Sequence, residues 1–302
     1  MKKIALILIL IGGTAFAQDT IINLWPNDKI PNKIASKETE EHKRNGILRI
    51  SKVQEPTIEV YLPTQQNANG KAMLIFPGGG YGILAYDWEG TDVAKFLNSK
   101  GIAGIVVKYR LPSDVSQTKK YNVPLIDAQR AMRLVRSKSK DWNIDANKIG
   151  IIGFSAGGHL ASTLGTHFDE KVYEPVDVVD TESARPDFMV LGYPVITMDI
   201  ATHGGSKRNL LGENPSKEMM DRFSNEKQVT TDTPPTFLFH ATDDDGVPVE
   251  NSILFYKALK DKDVSASMHL FPTGGHGFSF ALKNPYLSTW TDLLYGWTET
   301  LE

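Results

Sequence analysis

The 302-residue sequence has no cysteine, which removes disulfides, thiolate metal sites, thiol nucleophiles and lipidated cysteines together. Any nucleophile must therefore present oxygen or nitrogen. Basic surplus is missing too: 33 Lys and Arg stand against 36 Asp and Glu, a formal charge of −3. Nucleic-acid binders need the opposite balance, because Lys and Arg neutralise phosphate. No nucleic-acid partner is expected; small molecules or neutral polymers fit better. There is no internal repeat and no low-complexity tract, which argues against solenoids and linker-separated domains. No apolar run approaches the roughly 20 residues of a membrane-spanning helix, so no membrane anchor is expected. What is present, 41% hydrophobic and 9% aromatic residues, is the composition of a globular protein.

The first residues read as an address. Lys2 and Lys3 precede an apolar run from Ile4 to Ile11, followed by Ala15-Phe16-Ala17 and polar Gln18. This is the pattern of a secretory signal peptide over residues 1–17, cleaved near Ala17. The chain is expected to be exported to the periplasm or the medium, with residues 18–302 forming one catalytic domain. Oligomeric state is not legible.

After a polar leader from Asp19 to Ser51, short apolar runs alternate with longer amphipathic stretches, the signature of β-strands separated by helices. Expected strands are Ile58 to Leu62, Ala72 to Phe76, Gly104 to Tyr109, Ile149 to Phe154, Phe188 to Tyr193, Thr236 to His240 and Ala266 to Phe271. Most are continuously apolar, as strands covered on both faces are. Leu125, Ala128, Met132 and Val135 mark a helix with one buried stripe. Further helices are expected around Thr91 to Ser99, Ala156 to Thr166, Val249 to Lys260 and Ser288 to Thr300. The segment 194–235 breaks the rhythm and reads as a small insertion. The fold class expected is α/β, a doubly wound, mostly parallel sheet with helices on both faces.

Directly after the run Ile149 to Phe154 comes Gly153-Phe154-Ser155-Ala156-Gly157, the G-x-S-x-G elbow that projects a serine hydroxyl from a sharp strand-to-helix turn. A serine needs a base to remove its proton and a third group to orient that base. His276, in Gly274-Gly275-His276-Gly277, follows the strand Ala266 to Phe271; Asp243-Asp244-Asp245 follows Thr236 to His240. The chain order Ser, Asp, His, each beyond the end of a successive strand, is that of α/β-hydrolases. Asp243 and Asp244 are the two candidate acids. The Pro77-Gly78-Gly79-Gly80-Tyr81 loop follows the strand Ala72 to Phe76, where backbone donors for an oxyanion are required. Gly79 and Gly80, with the Ala156 N–H at the start of the next helix, are the candidate oxyanion hole. His203-Gly204-Gly205 lies after the elbow and is read as a turn. Tyr81, Trp88 and Glu89, on the loop after the glycines, are candidate sugar contacts. The remaining histidines show no ligand spacing, so no metal is expected.

These residues resemble secreted bacterial α/β-hydrolases of the carbohydrate acetylesterase and feruloyl esterase type, often called acetylxylan-esterase-like. The strings that carry the resemblance are PGGGY (77–81), VVKYRLP (106–112), IGIIGFSAGGHLA (149–161), GYPVITM (192–198), PPTFLFHATDDDGVPVENS (234–252) and GGHGF (274–278). The resemblance implies an α/β-hydrolase fold, Ser155 as nucleophile, Asp244 as acid and His276 as base. It also implies action without cofactor on esters, acetyl first, that decorate plant or algal polysaccharides. Pro77 stands where the wider lipase pattern often has histidine. Two other readings share parts of the pattern: an exopeptidase of prolyl-oligopeptidase type, for which no propeller-sized region is present, and a polysaccharide-binding protein on a hydrolase scaffold.

Overall fold

Three apolar runs, Ala72–Phe76, Ile149–Phe154 and Thr236–Ala241, are buried along their whole length, as strands must be when both faces of a sheet are covered. The computed structural model describes residues 20–26 and 29–301, so the expected signal peptide lies outside the described residues. The strands are β1 (Thr20–Asn23), β2 (Glu41–Asn45), β3 (Ile47–Ser51), β4 (Thr57–Tyr61), β5 (Ala72–Phe76), β6 (Leu84–Ala85), β7 (Ala103–Lys108), β8 (Ile149–Phe154), β9 (Met189–Gly192), β10 (Thr236–Ala241) and β11 (Ala266–Phe271). The α-helices are α1 (Asp92–Ser99), α2 (Val123–Ser137), α3 (Ala156–Thr166), α4 (Gly204–Leu211), α5 (Lys217–Arg222), α6 (Glu250–Asp261) and α7 (Trp290–Thr298).

The main sheet runs β1-β4-β7-β5-β8-β9-β10-β11. From β7 to β11 all neighbours are parallel, while β4 joins β7, and β1 joins β4, in antiparallel fashion. This is the α/β-hydrolase fold expected from the motif order. Adjacent residues on β10 show both faces covered: the Phe239 ring stacks on Trp290 of α7 at 4.1 Å, while His240 Nδ1 lies 2.8 Å from Ser252 Oγ on α6. Alternation of side chains along a strand requires those partners to sit on opposite sides. Helices α2, α3 and α6 pack on one face; α1 and α7 share the other, bridged by Phe96, Phe280 and Trp290.

The polar leader is not featureless. Its start is the edge strand β1, and β2 and β3 form a hairpin around Gly46, whose φ of +72° suits glycine. With β6 they make a separate three-stranded sheet. The expected insertion over 194–235 carries α4 and α5 before the chain re-enters the sheet at β10.

Candidate active site

Parallel strands end at one edge of the sheet, and the loops that leave them meet there. Ser155 follows β8 at φ +52°, ψ −121°, a conformation rare for a residue with a side chain. The elbow holds it because Gly153 and Gly157 let backbones touch: a Cβ on Gly157 would sit 2.0 Å from the Phe76 carbonyl oxygen. His276 arrives on the loop after β11. Its Nε2 lies 2.8 Å from Ser155 Oγ, and its Nδ1 lies 2.7 Å from Asp244 Oδ2. With Asp244 accepting the Nδ1 proton, Nε2 is the acceptor for the Ser155 hydroxyl, the arrangement in which an imidazole can activate an alcohol.

The two adjacent acids are placed differently. Asp244 Oδ1 accepts the N–H groups of Gly246 and Val247 at 2.9 and 2.8 Å, and Oδ2 also faces His240 Nε2 at 3.1 Å. Burial pushes the Asp244 carboxyl up, but the donors from His240, His276 and Val247 outweigh it and hold the group well below the usual carboxylate range. Asp243 instead accepts the N–H groups of Gly274 and Gly275, both at 2.8 Å. It anchors the loop that carries His276 and does not touch the imidazole.

The loop after β5 turns through positive φ at Gly79, Gly80 and Tyr81. Among the described residues, none offers an acceptor to the N–H of Gly79, Gly80 or Ala156. All three donors belong to segments beside Ser155, the placement an oxyanion site needs. Glu89 braces this loop: its Oε2 accepts the Gly78 N–H and its Oε1 accepts the Tyr193 hydroxyl, each at 2.8 Å. Tyr193 in turn accepts the Ser279 N–H at 3.0 Å, and Trp88 Nε1 donates to the Gly277 carbonyl at 2.9 Å. One carboxylate thus ties the glycine loop to the histidine loop. Burial raises the Glu89 carboxyl above its ordinary range, with the Tyr193 and Gly78 donors pulling the other way.

One expected sugar contact is corrected. Tyr81 is 2% exposed and its hydroxyl pairs with His159 Nδ1 at 2.8 Å, so the ring faces the interior and supports the loop. Glu89 lines the cleft with Trp88 but is 4% exposed, with both oxygens engaged in bracing the loop. Trp88 remains half-buried on the wall of a cleft of about 670 Å³ that contains Ser155 and His276. The His203-Gly204-Gly205 string is also corrected: it starts α4, with His203 capping the helix through its ring nitrogen, 3.2 Å from the Ser206 N–H. Its side chain lines the same cleft.

Arg49, Asn45 and Asn209 line the cleft as well, and nothing in their local sequence marks them. His240 had a signal, as the one titratable side chain in the apolar run of β10. Among the described residues no group of three or more His, Asp or Glu is arranged to hold a metal ion.

Comparison with known proteins gives the same fold and a family. The family model described as BD-FAE matches residues 58–259. The endo-1,4-beta-xylanase B of Butyrivibrio fibrisolvens is 37% identical over 82% of this chain, and the acetylxylan esterase of Xylanibacter ruminicola is 36% identical over 80%. The aligned region spans only 38% and 47% of those two relatives. Among solved structures, the acetyl ester-xyloside bifunctional hydrolase of Caldicellulosiruptor lactoaceticus is 40% identical, with a TM-score of 0.81 over 95% of this chain and 98% of that one.

Proposed function

The chain belongs to the BD-FAE family of α/β-hydrolases, and from that premise we propose that it is a serine esterase that removes acyl groups, acetyl foremost, from decorated plant or algal polysaccharides such as acetylated xylan. The observation that carries the reading is the continuous path Ser155 Oγ, His276, Asp244 at 2.8 and 2.7 Å, opening into a cleft of about 670 Å³. The relatives named for acetylxylan and xyloside hydrolysis support the choice of substrate.

In this mechanism Ser155 attacks the ester carbonyl as His276 Nε2 takes its proton, and Asp244 stabilises the imidazolium that results. The oxyanion lies beneath the N–H groups of Ala156 and the Gly79-Gly80 turn, whose conformation is set before substrate arrives. His276 returns the proton to the departing sugar alcohol. Water, activated by the same imidazole, then releases the acid and regenerates Ser155. Residues 1–17 address the chain for export, which places it where polymeric substrate is found.

The test compares acetate release from acetylated xylan with cleavage of aminoacyl-anilides, for the wild type and Ser155→Ala. Acetate release by the wild type, reduced at least about 10³-fold in Ser155→Ala, is the expected result. Anilide cleavage without deacetylation would make the chain a peptidase, and polymer binding with no turnover would make it a binding protein.

A further inference from the structure

The β2–β3 hairpin takes no part in the chemistry above, yet it forms a wall of the cleft. Its register pairs Asn45 with Ile47 and Lys43 with Arg49, and β3 pairs Arg49 with Ala85 of β6. Directly opposed residues on antiparallel strands share a face. Ile47, Arg49 and Ala85 therefore point together into the space that holds Ser155 and His276. Ile50, one residue along, turns the other way into the core beside Leu84.

Among the described residues lining that cleft, Arg49 is the one Lys or Arg. It is half-buried, and its Nη1 donates to the Asn45 carbonyl. Closing the hairpin needs only that donor, whereas a guanidinium presents five. No carboxylate among the described residues pairs with it. The acids nearby are engaged elsewhere: Glu41 with Lys43 and Lys52, Asp87 with Arg44, and Glu89 with Gly78 and Tyr193. Asp244 is occupied behind His276. A chain of net negative charge thus keeps an uncompensated guanidinium on the wall of its reaction cleft.

A guanidinium left with a free planar fork of donors matches a carboxylate. An acetyl group has one carboxyl and the ester bond consumes it, so under the esterase reading an anion facing Arg49 belongs to the alcohol, which is the sugar. We propose that Arg49 forms a subsite for the carboxylate of a uronic-acid unit close to the acylated sugar, so that acylated chains with acidic branches are preferred over neutral ones. The proposal rests on the esterase reading and adds a substrate class to it.

Three esters separate the two: 4-nitrophenyl acetate, an acetylated neutral xylo-oligosaccharide, and the same oligosaccharide carrying a glucuronic-acid branch. For the wild type the ratio of kcat/KM for acidic over neutral oligosaccharide is expected to be about fivefold or more. It should fall toward one in Arg49→Gln, be partly retained in Arg49→Lys, and shrink when salt is raised to about 0.5 M. A wild-type ratio of one, or a ratio unchanged in Arg49→Gln, overturns the subsite while the esterase stands. Failure on all three esters overturns the esterase reading instead. Calorimetric binding of the deacetylated acidic oligosaccharide then decides Arg49 alone: a loss of about fivefold or more in Arg49→Gln supports the subsite, and equal Kd values overturn it.

Discussion

Asp243 and Asp244 are the same side chain one position apart, and the difference between them is what each accepts. Asp244 takes the imidazole Nδ1 proton, while Asp243 takes two amides of the loop that delivers the imidazole. Asp244→Asn should lower kcat on an acetyl ester by about 10² to 10⁴, because an amide at that point favours the wrong tautomer of His276. Asp243→Asn keeps one acceptor oxygen and should lose only about tenfold, mainly through a less ordered loop. Parallel steady-state kinetics on the two variants check this, and a larger loss at 243 would reverse the assignment. Ser155 is legible in the sequence because its Gly-x-Ser-x-Gly string stands where an apolar strand run gives way to a helical pattern. No local signal separates two neighbouring aspartates: a one-residue step changes direction, not chemistry.

Between elements, the decisive connections are made by loops. The glycine loop after β5 and the histidine loop after β11 share no hydrogen bond register, yet Glu89, Tyr193 and Trp88 fasten one to the other. Replacing Glu89 by Gln preserves the shape but turns one acceptor oxygen into a donor facing Gly78 N–H or Tyr193 O–H. A buried donor left without acceptor costs about 1–3 kcal/mol. We expect Glu89→Gln to lower the unfolding free energy by that amount and kcat by about tenfold or more, with KM changed less, because the loops it joins carry His276 and the free amides of the glycine turn. Urea denaturation together with kcat and KM reads both, and a variant with wild-type kcat would remove Glu89 from the brace. The fully buried strands β5, β8 and β10 could be read from the sequence because continuous apolar runs leave no alternative to a covered sheet. The β2–β3 hairpin could not, since its residues Glu41 to Asn45 are largely exposed and polar and show no alternation. Its partner strand β6 has only two residues, Leu84 and Ala85.

Across the molecule, a buried polar chain joins the glycine loop to the segment following α5. The Tyr81 hydroxyl donates to His159 Nδ1, and His159 Nε2 donates to the Phe223 carbonyl, each at 2.8 Å. Asn225 closes the chain on the His159 carbonyl and on Ser162 and Thr163. Burial holds the His159 imidazole at about 4, against an ordinary 6.5. The unfolded chain therefore takes up a proton below about 6.5 that the native state refuses until about 4. The His159 contribution to stability should be level above that window and fall by on the order of 3 kcal/mol as pH drops through it. His167 and His269, also lowered by burial, act in the same direction. Asp244 adds a further loss only below the ordinary carboxylate value of 3.8. Urea midpoints followed from about pH 7 to pH 4.5 should decline more steeply in the wild type than in His159→Gln, which keeps a donor and an acceptor but cannot be protonated. Equal slopes would show that this histidine does not control acid stability.

The linear chain was enough to establish the α/β class, the strands of the sheet centre, the elbow serine and the loops that supply an imidazole and backbone donors, because each depends on residues adjacent in sequence and on the run lengths between turns. Folding alone decided which of two aspartates meets His276, that Tyr81 faces inward while Glu89 braces the glycine loop, and that a hairpin from the polar leader sets Arg49 on the wall of the cleft that holds Ser155. Those outcomes depend on the packing of segments tens to hundreds of residues apart, where burial and hydrogen-bond partners come from elements that the local pattern does not contain.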